Sequence, residues 1–270
     1  MKDYLFIDGN RIENTLPLRS LFYGEGVFET FRCKSGLPVL LDKHMERMER
    51  GADLLKMPFP NKKYLIERIR NAISKSEIED AYVKLCLLSE GGSAFYKSAI
   101  KSQLLVIVKE YVQPKQFVKL KVNSFRRISE SPLLKIKSMN YLENVLARRE
   151  ALDSGFDEAL FVNEKGEVTE CSASNLFWFK DDTLFAPSEG CGLLAGTTRD
   201  LVFALMPNYN IKLLEGKFLL KDIKQADFVF ITNSLIGCIL VSEIEGNFYK
   251  TEHPLFLKMQ NALLQKLKWI

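Results

Sequence analysis

The sequence predicts an α+β fold in two parts, and three observations predict it. Apolar strand-like runs and helical apolar stripes follow one another without a regular strand–helix–strand repeat, which argues against a doubly wound parallel sheet. Gly24-Glu25-Gly26 lacks the third glycine of a dinucleotide fingerprint and leads into strand-like sequence, not a helix. Between two strand signals lies YVQPKQ, residues 111–116, whose proline marks a linker between a first domain (residues 1–110) and a second (residues 117–270).

In the first part, residues 4–7 read as a strand stopped by the turn signal Asp8-Gly9. Residues 21–33 hold two glycines and then an alternating strand, with Val27, Glu29 and Phe31 on one side and Phe28, Thr30 and Arg32 on the other. Gly36-Leu37-Pro38 predicts a turn into a second strand, residues 39–41, which would complete a hairpin. Asp42 is a candidate N-cap for the helix that follows, whose stripe is Met45, Met48, Ala52 and Leu55. Asn61 is placed to cap a further helix, with Tyr64, Leu65, Ile69 and Ile73 inward. Strands are expected at 81–88 and 103–110. The polar, glycine-bearing loop between them, SEGGSAFYKSAIKS, is a candidate substrate-side loop.

The second part opens with a strand at 117–123. A helix at 141–152 is stopped by Ser154-Gly155. Strands are expected at 158–162, 168–170, 175–180 and 183–186, and later at 211–214, 227–232 and 237–244. A turn rich in glycine and threonine opens a helix near Thr198, and a last helix spans 254–267.

A chain of 270 residues can bury two cores, and its 47% hydrophobic and 27% charged residues exclude a disordered protein. The net charge of +4 comes without a dense basic run, so nucleic acid is not an expected partner. It does suit a phosphorylated cofactor or an anionic substrate. Five scattered cysteines without a CxxC pair, and only two histidines, argue against a zinc site and fit a reducing cytoplasm. The first ten residues show no secretory leader, and the apolar runs at 104–108 and 201–206 are too short to span a membrane.

Several residues could carry chemistry. Lys137 sits in a short polar loop ahead of an amphipathic helix, and Glu170 follows 33 residues later. Pyridoxal phosphate (PLP) needs such a pair, a lysine for its aldehyde and an acid for its ring nitrogen. Most lysines are solvated surface groups, so the pair alone leaves both readings open. Gly196-Thr197-Thr198 opens a helix, where free N–H groups and the helix dipole favour a phosphate; a plain capped helix would look the same. Thr232-Asn233-Ser234 ends the apolar strand FVFIT, a place for ligand groups and ordinary turns alike. Arg47 lies at the edge of its helix stripe. Its neighbours at i−4 and i+3, Lys43 and Arg50, are basic, so no helical ion pair at those spacings holds it back from an anion; the alternative is a solvated arginine. His44 reads as a structural histidine that ties down the helix start. Tyr141 could face a cofactor or be a core aromatic.

Four segments, FYGEGVFETFR, LDKHMERM, KSMNYLENVLARREALDSGFDEALFVNEKGEVTECSASNLFWF and GLLAGTTR, together resemble the class IV aminotransferases, the PLP enzymes of fold type IV. The resemblance covers nearly the whole chain. That family holds branched-chain aminotransferases, D-amino acid aminotransferases and 4-amino-4-deoxychorismate lyases. The resemblance implies a small N-terminal α/β domain, a larger C-terminal domain with a barrel-like sheet, PLP between them, a small-molecule substrate and a homodimer. It implies Lys137 as the Schiff-base lysine, Glu170 on the pyridine nitrogen and Arg47 on the phosphate. It also implies Thr198 with the Gly196 and Thr197 backbone at the phosphate, Asn233 and Ser234 in a second phosphate-side turn, and Tyr141 as a phenol facing the cofactor.

Within the family, VTECSASNLFWF and TNSLIG resemble the lyases, and FETFR lacks a glycine common after the glutamate in branched-chain enzymes. Where D-amino acid aminotransferases hold the substrate carboxylate with arginine, and many lyases also carry one, this chain has Glu90, which cannot hold another carboxylate. Lys97 in the same loop is a candidate replacement, and Phe28 and Thr30 are expected on the substrate side. The implied activity is 4-amino-4-deoxychorismate lyase, releasing pyruvate and 4-aminobenzoate; the alternative is an aminotransferase for branched-chain or D-amino acids.

Overall fold

The computed structural model describes residues 5–8, 10–12, 16–91 and 94–270. Tyr4 of the first expected strand and Gly9 of its turn lie outside them. The described chain starts with a short antiparallel pair, β1 (Leu5–Ile7) and β2 (Asn10–Ile12). A short helix not foreseen in the sequence follows, α1 (Leu18–Tyr23). Gly24 ends it in the left-handed region at φ 61°, and a Cβ there would lie 2.7 Å from the Asn140 side chain. The first glycine of the GEG run is therefore a helix stop.

β3 (Gly26–Lys34) comes next, followed by α2 (Leu41–Leu54), α3 (Lys62–Ser76), β4 (Asp80–Glu90) and β5 (Lys101–Glu110). β3, β4 and β5 form an antiparallel three-stranded sheet. The alternation of β3 holds: Val27, Glu29 and Phe31 are all buried on the face that packs against α2, beside Met45, Met48 and Ala52. The hairpin expected at 39–41 does not form. Leu40 is the N-cap position of α2 and Leu41 its first residue, buried in the core, while β4 pairs with β3 along its full length. Asp42 accordingly sits in the first turn of α2 and is not its cap; there its charge still complements the helix dipole. In α3, the Asn61 side chain accepts from the Lys63 N–H as a cap should. Leu65 and Ile69 are buried, but Tyr64 faces solvent at 45% exposure. It neighbours Leu65 on the helix and points away from the core side.

The rest of the chain runs β6 (Phe117–Val122), α4 (Leu142–Asp153), β7 (Glu158–Val162), β8 (Val168–Cys171), β9 (Asn175–Lys180) and β10 (Thr183–Pro187). It continues through α5 (Thr197–Leu205), β11 (Lys212–Gly216), α6 (Leu220–Ile223), β12 (Phe228–Asn233), β13 (Gly237–Ile244), β14 (Asn247–Phe248) and α7 (Pro254–Lys266). These strands make a nine-stranded mixed sheet in the order β11-β10-β9-β12-β13-β6-β7-β8, with β14 beside β13. β8 at one end also touches β9 and β10, so the sheet curls into a half-barrel. Both faces are buried. Phe177, Phe179, Phe228 and Phe230 enter one core with α5 and α7, and Leu176, Trp178, Val229 and Ile231 enter the other. α4 is not the amphipathic helix expected. Leu142, Leu146 and Leu152 are exposed, and only Ala147 and Ala151 are buried, where small side chains let the helix lie close on β7.

Strand β3 is where the two sheets meet. The Phe28 N–H donates to the Lys137 carbonyl at 2.9 Å, and the Met139 N–H to the Gly26 carbonyl at 2.8 Å. Further along, the Arg32 N–H donates to the Ser234 carbonyl at 3.1 Å, and the Ser234 hydroxyl donates to the Thr30 carbonyl. Arg32 itself lies 3.9 Å from the Tyr111 ring centre and 4.9 Å from that of Trp269. These contacts place segment 137–139 and turn 233–235 along one wall. No described helix is long and apolar enough to cross a membrane.

Candidate active site

Between the sheets lies a cavity of about 450 Å³. Its lining brings together Arg47, Lys137, Tyr141, Glu170, the Gly196-Thr197-Thr198 turn, Asn233, Ser234, Phe28 and Thr30. Lys97 is exposed and does not line it, nor does Glu90, which pairs with Lys101 at 3.0 Å and accepts from Gln103 at 2.6 Å.

Lys137 is held by its own backbone. The bridge to β3 fixes segment 137–139 and lays the ammonium 4.6 Å from the centre of the Phe28 ring and 5.6 Å from that of Tyr141. Burial, and then the nearby charge of Arg47, pull the amine down to about 8, against acid groups that oppose the change. A lysine in that range has a sizeable neutral fraction near neutral pH, which both a nucleophile and a base require.

At the other side, burial pushes the Glu170 carboxyl up, opposed chiefly by the charge of Arg127. Arg127 Nη1 donates to Glu170 at 2.7 Å, and its guanidinium lies 3.6 Å from the Phe161 ring centre. Its Nε faces Glu143 at 3.4 Å without a hydrogen bond. Arg127 was not foreseen; it stands in FRRISE ahead of the polar loop, and two adjacent arginines there are the only signal.

Arg47 is not the free arginine that its helical neighbours suggested. Its Nε and Nη2 donate to both oxygens of Glu29 at 2.7 and 2.6 Å, and its Nη1 donates to the Ala195 carbonyl at 3.0 Å. The partner comes from β3, across the fold, where helix spacing gives no hint of it. Glu29 also bonds His44 Nδ1 at 2.7 Å, so His44 is structural as expected. Burial would raise the Glu29 carboxyl, but Arg47 and His44 hold it down to about 2. Through Ala195, Arg47 ties α2 to the turn that opens α5.

That turn is built for an anion. Gly196 precedes the first N–H groups of α5, and a Cβ on it would lie 2.3 Å from Asn175 Oδ1. The Thr198 hydroxyl is buried and has no hydrogen-bond partner among the described residues. An unpartnered hydroxyl at a helix N-terminus opening on a cavity is a donor placed for a phosphate. With Lys137 for an aldehyde and Glu170 for a ring nitrogen, the donor set fits PLP.

Other expected residues are more occupied. Tyr141 donates its hydroxyl hydrogen to the Ser172 carbonyl at 2.6 Å, so it cannot donate to a cofactor oxygen in this arrangement. Asn144, also unforeseen, donates to the same carbonyl at 2.7 Å. Asn233 donates to the Ala173 carbonyl and Ser174 hydroxyl, each at 3.0 Å, and accepts from the Leu235 and Ile236 N–H groups. It therefore shapes the turn, and the Ser234 hydroxyl is held by Thr30.

The family model described as amino-transferase class IV matches residues 26–244. The chain belongs to the class IV aminotransferase family. Membership makes it an enzyme whose cofactor is PLP. It is 29% identical over 260 residues to "Aminodeoxychorismate lyase" of Bacillus subtilis, covering 92% of this chain and 89% of that one. It is also 29% identical, over 91% of this chain and 88% of the other, to a "Putative branched-chain-amino-acid aminotransferase" of Methanocaldococcus jannaschii. Among solved structures, a "Putative 4-amino-4-deoxychorismate lyase" of Legionella pneumophila superposes with a TM-score of 0.88 at 31% identity, covering 92% of this chain and 93% of that one.

Proposed function

We propose that this class IV enzyme is a 4-amino-4-deoxychorismate lyase, which releases pyruvate and leaves 4-aminobenzoate. One observation carries this reading over its rival. The two segments that resemble the lyases in sequence, VTECSASNLFWF and TNSLIG, contribute Glu170 to Asn175 and Asn233 to Leu235 to the cavity lining. Resemblance at the substrate-facing wall bears on the reaction more than resemblance elsewhere. The B. subtilis and L. pneumophila relatives support the same reading.

In this reading the Thr198 hydroxyl, the N–H groups of the α5 start and Arg47 hold the phosphate end of PLP. Glu170, kept in place by Arg127, takes the ring nitrogen. Bound PLP supplies an electron sink that makes a proton on the carbon bearing the substrate amine acidic. Lys137 Nζ would remove that proton as the neighbouring ring carbon's bond to the enolpyruvyl oxygen breaks, and its ammonium would hand the proton to the departing enolate, which leaves as pyruvate. Buried Phe28, whose ring centre lies 4.6 Å from Lys137 Nζ, gives the cavity an apolar wall that limits water around the amine.

The second reading is an aminotransferase, favoured by the equal identity to the M. jannaschii relative. The PLP-loaded enzyme with aminodeoxychorismate decides between them. Pyruvate release without a keto-acid acceptor supports the lyase. No pyruvate, together with conversion to the pyridoxamine form by an amino acid and reversal by a 2-oxo acid, would establish the aminotransferase.

We also read the chain as two domains, 1–110 and 117–270, joined by 111–116. Separate cores on either side of that stretch support the division. A cytoplasmic homodimer is part of the proposal. Exposed Leu21, Phe22, Phe95 and Tyr96 offer apolar surface for a second copy, and the five cysteines are buried and unbridged. Light scattering of the purified enzyme tests the dimer.

A further inference from the structure

We infer that Glu158 is a positioning residue for the reaction in the cavity: through the Ser172 peptide it fixes the Tyr141 phenol beside Lys137. The inference rests on reading this cavity as the active site, but not on which reaction runs there.

Glu158 opens β7 and is the charged member of a strand that otherwise reads Ala-Leu-Phe-Val. It is buried, and both of its oxygens are taken. Oε1 accepts from the Ser172 hydroxyl and from the Ala159 N–H, the latter at 2.9 Å, and Oε2 pairs with Arg148 on α4. A buried ion pair is often no more stabilising than apolar residues of the same volume, so packing alone does not account for an acid here. Ser172 is the bracket between that acid and the cavity, which it lines. Its hydroxyl is on Glu158, and its N–H donates to the Ala159 carbonyl at 3.0 Å. Its carbonyl accepts from the Tyr141 hydroxyl at 2.6 Å and from the Asn144 amide at 2.7 Å.

Helix α4 meets this bracket with a polar face. Tyr141 at its N-cap position, Asn144 and Arg148 stand at i, i+3 and i+7, so one side of the helix reaches Ser172 and Glu158 together. That is why the helix lacks an apolar inner stripe: beside Ala147 and Ala151, its inward positions are occupied by this network. The Tyr141 ring in turn packs edge-on against Phe28, with 5.2 Å between ring centres, and its centre is 5.6 Å from the Lys137 ammonium. Burial, and then the charges of Glu170 and Glu158, push the phenol up, so the hydroxyl keeps the hydrogen it donates to Ser172. Asn144 extends the network to the other acid. Its Oδ1 accepts from Arg127 Nη2 at 3.3 Å, and Arg127 bonds Glu170. Glu158 itself does not line the cavity, so its influence on the neighbours of Lys137 runs through Ser172.

The test is a mutant cycle in the PLP-loaded enzyme. Turnover is read as pyruvate released from aminodeoxychorismate. If the parent releases none, the lyase reading fails, and turnover is read as conversion to the pyridoxamine form by an amino acid. Glu158→Met should lower kcat about 10- to 100-fold, with KM and PLP affinity within about threefold of the parent. Glu158→Gln, whose amide oxygen still accepts from Ser172, should keep kcat within about threefold of the parent. In a Tyr141→Phe enzyme, adding Glu158→Met should cost less than about threefold more, because the phenol it positions is gone. The circular dichroism of the bound cofactor, which needs no reaction, should follow the same order, altered in Glu158→Met and kept in Glu158→Gln. Arg148 is 40% exposed, so water can solvate it when its partner is removed. If thermal melts show that Glu158→Met does not fold, Ser172→Ala, which removes the hydroxyl that Glu158 holds, replaces it with the same expected values. A Glu158→Met enzyme with the parent's kcat and dichroism, a Gln variant as impaired as the Met variant, or the full loss repeated in the Tyr141→Phe background would overturn the assignment.

Discussion

Arg127 and Glu170 form a buried pair at one side of the cavity, 2.7 Å from Nη1 to Oε1, with the guanidinium stacked on Phe161. Burial pushes the Glu170 carboxyl up and the charge of Arg127 opposes it, favouring the carboxylate form that can stabilise a protonated ring nitrogen. Arg127 therefore acts as a positioning residue, through Glu170. Arg127→Met should raise the Glu170 pKa further and lower kcat about 10- to 100-fold, with PLP still bound. Arg127→Lys should recover part of the loss. The readouts are kcat and the pH dependence of the cofactor absorbance; a purely structural role would leave that pH profile unmoved.

Lys137 works against the fold before the cofactor arrives. Its amine is near 8 in the folded protein against 10.5 ordinarily, so between those values the unfolded chain holds a proton the folded chain has released. Apoprotein stability should rise with pH through that window, and below pH 8 the cost is fully present. Lys137→Met should then stabilise the apoprotein at pH 7 by on the order of 2 kcal/mol. Urea melts at pH 7 and pH 10 measure it, and the gain should shrink at the higher pH.

Glu29 is the counter-charge that lets Arg47 and His44 be buried. Glu29→Gln should cost about 3–5 kcal/mol at pH 7, because it leaves a buried guanidinium without an anion. The Glu29 carboxylate is held at about 2 against 4.5 ordinarily, so its contribution is full above pH 4.5 and is lost as the pH falls toward 2. The stability gap between parent and variant, from urea melts, should narrow over that window.

Gly196→Ala tests the phosphate end. Its Cβ would collide with Asn175 Oδ1, whose amide nitrogen donates to the Thr232 carbonyl and hydroxyl. The start of α5 must shift, and PLP affinity should fall at least about tenfold. Equilibrium titration with PLP checks this, with free phosphate as competitor.

Much of this was legible because residue type and position coincide. The lysine, the acid and the Gly-Thr-Thr helix start were each ambiguous alone and became one candidate set only through the resemblance of four segments, whereas strand alternation separated Phe28 and Thr30 from Val27, Glu29 and Phe31. What the sequence hid is pairing over distance. The Glu29–Arg47 and Arg127–Glu170 pairs join different elements, and Lys84 reaches the cavity through the β3–β4 register. The mistaken strand at 39–41 was a three-residue apolar run, too short for its period to tell strand from helix. The six-residue α1 is likewise too short to show a period.

In the proposed reading, Lys137 bonds the cofactor in this cavity. Borohydride reduction of the PLP-loaded enzyme, followed by digestion and mass spectrometry, tests it most directly. The phosphopyridoxyl mass should appear on the peptide containing Lys137 and be absent from a Lys137→Ala enzyme. A label on Lys84 or another lysine, or none on the parent enzyme, would contradict it.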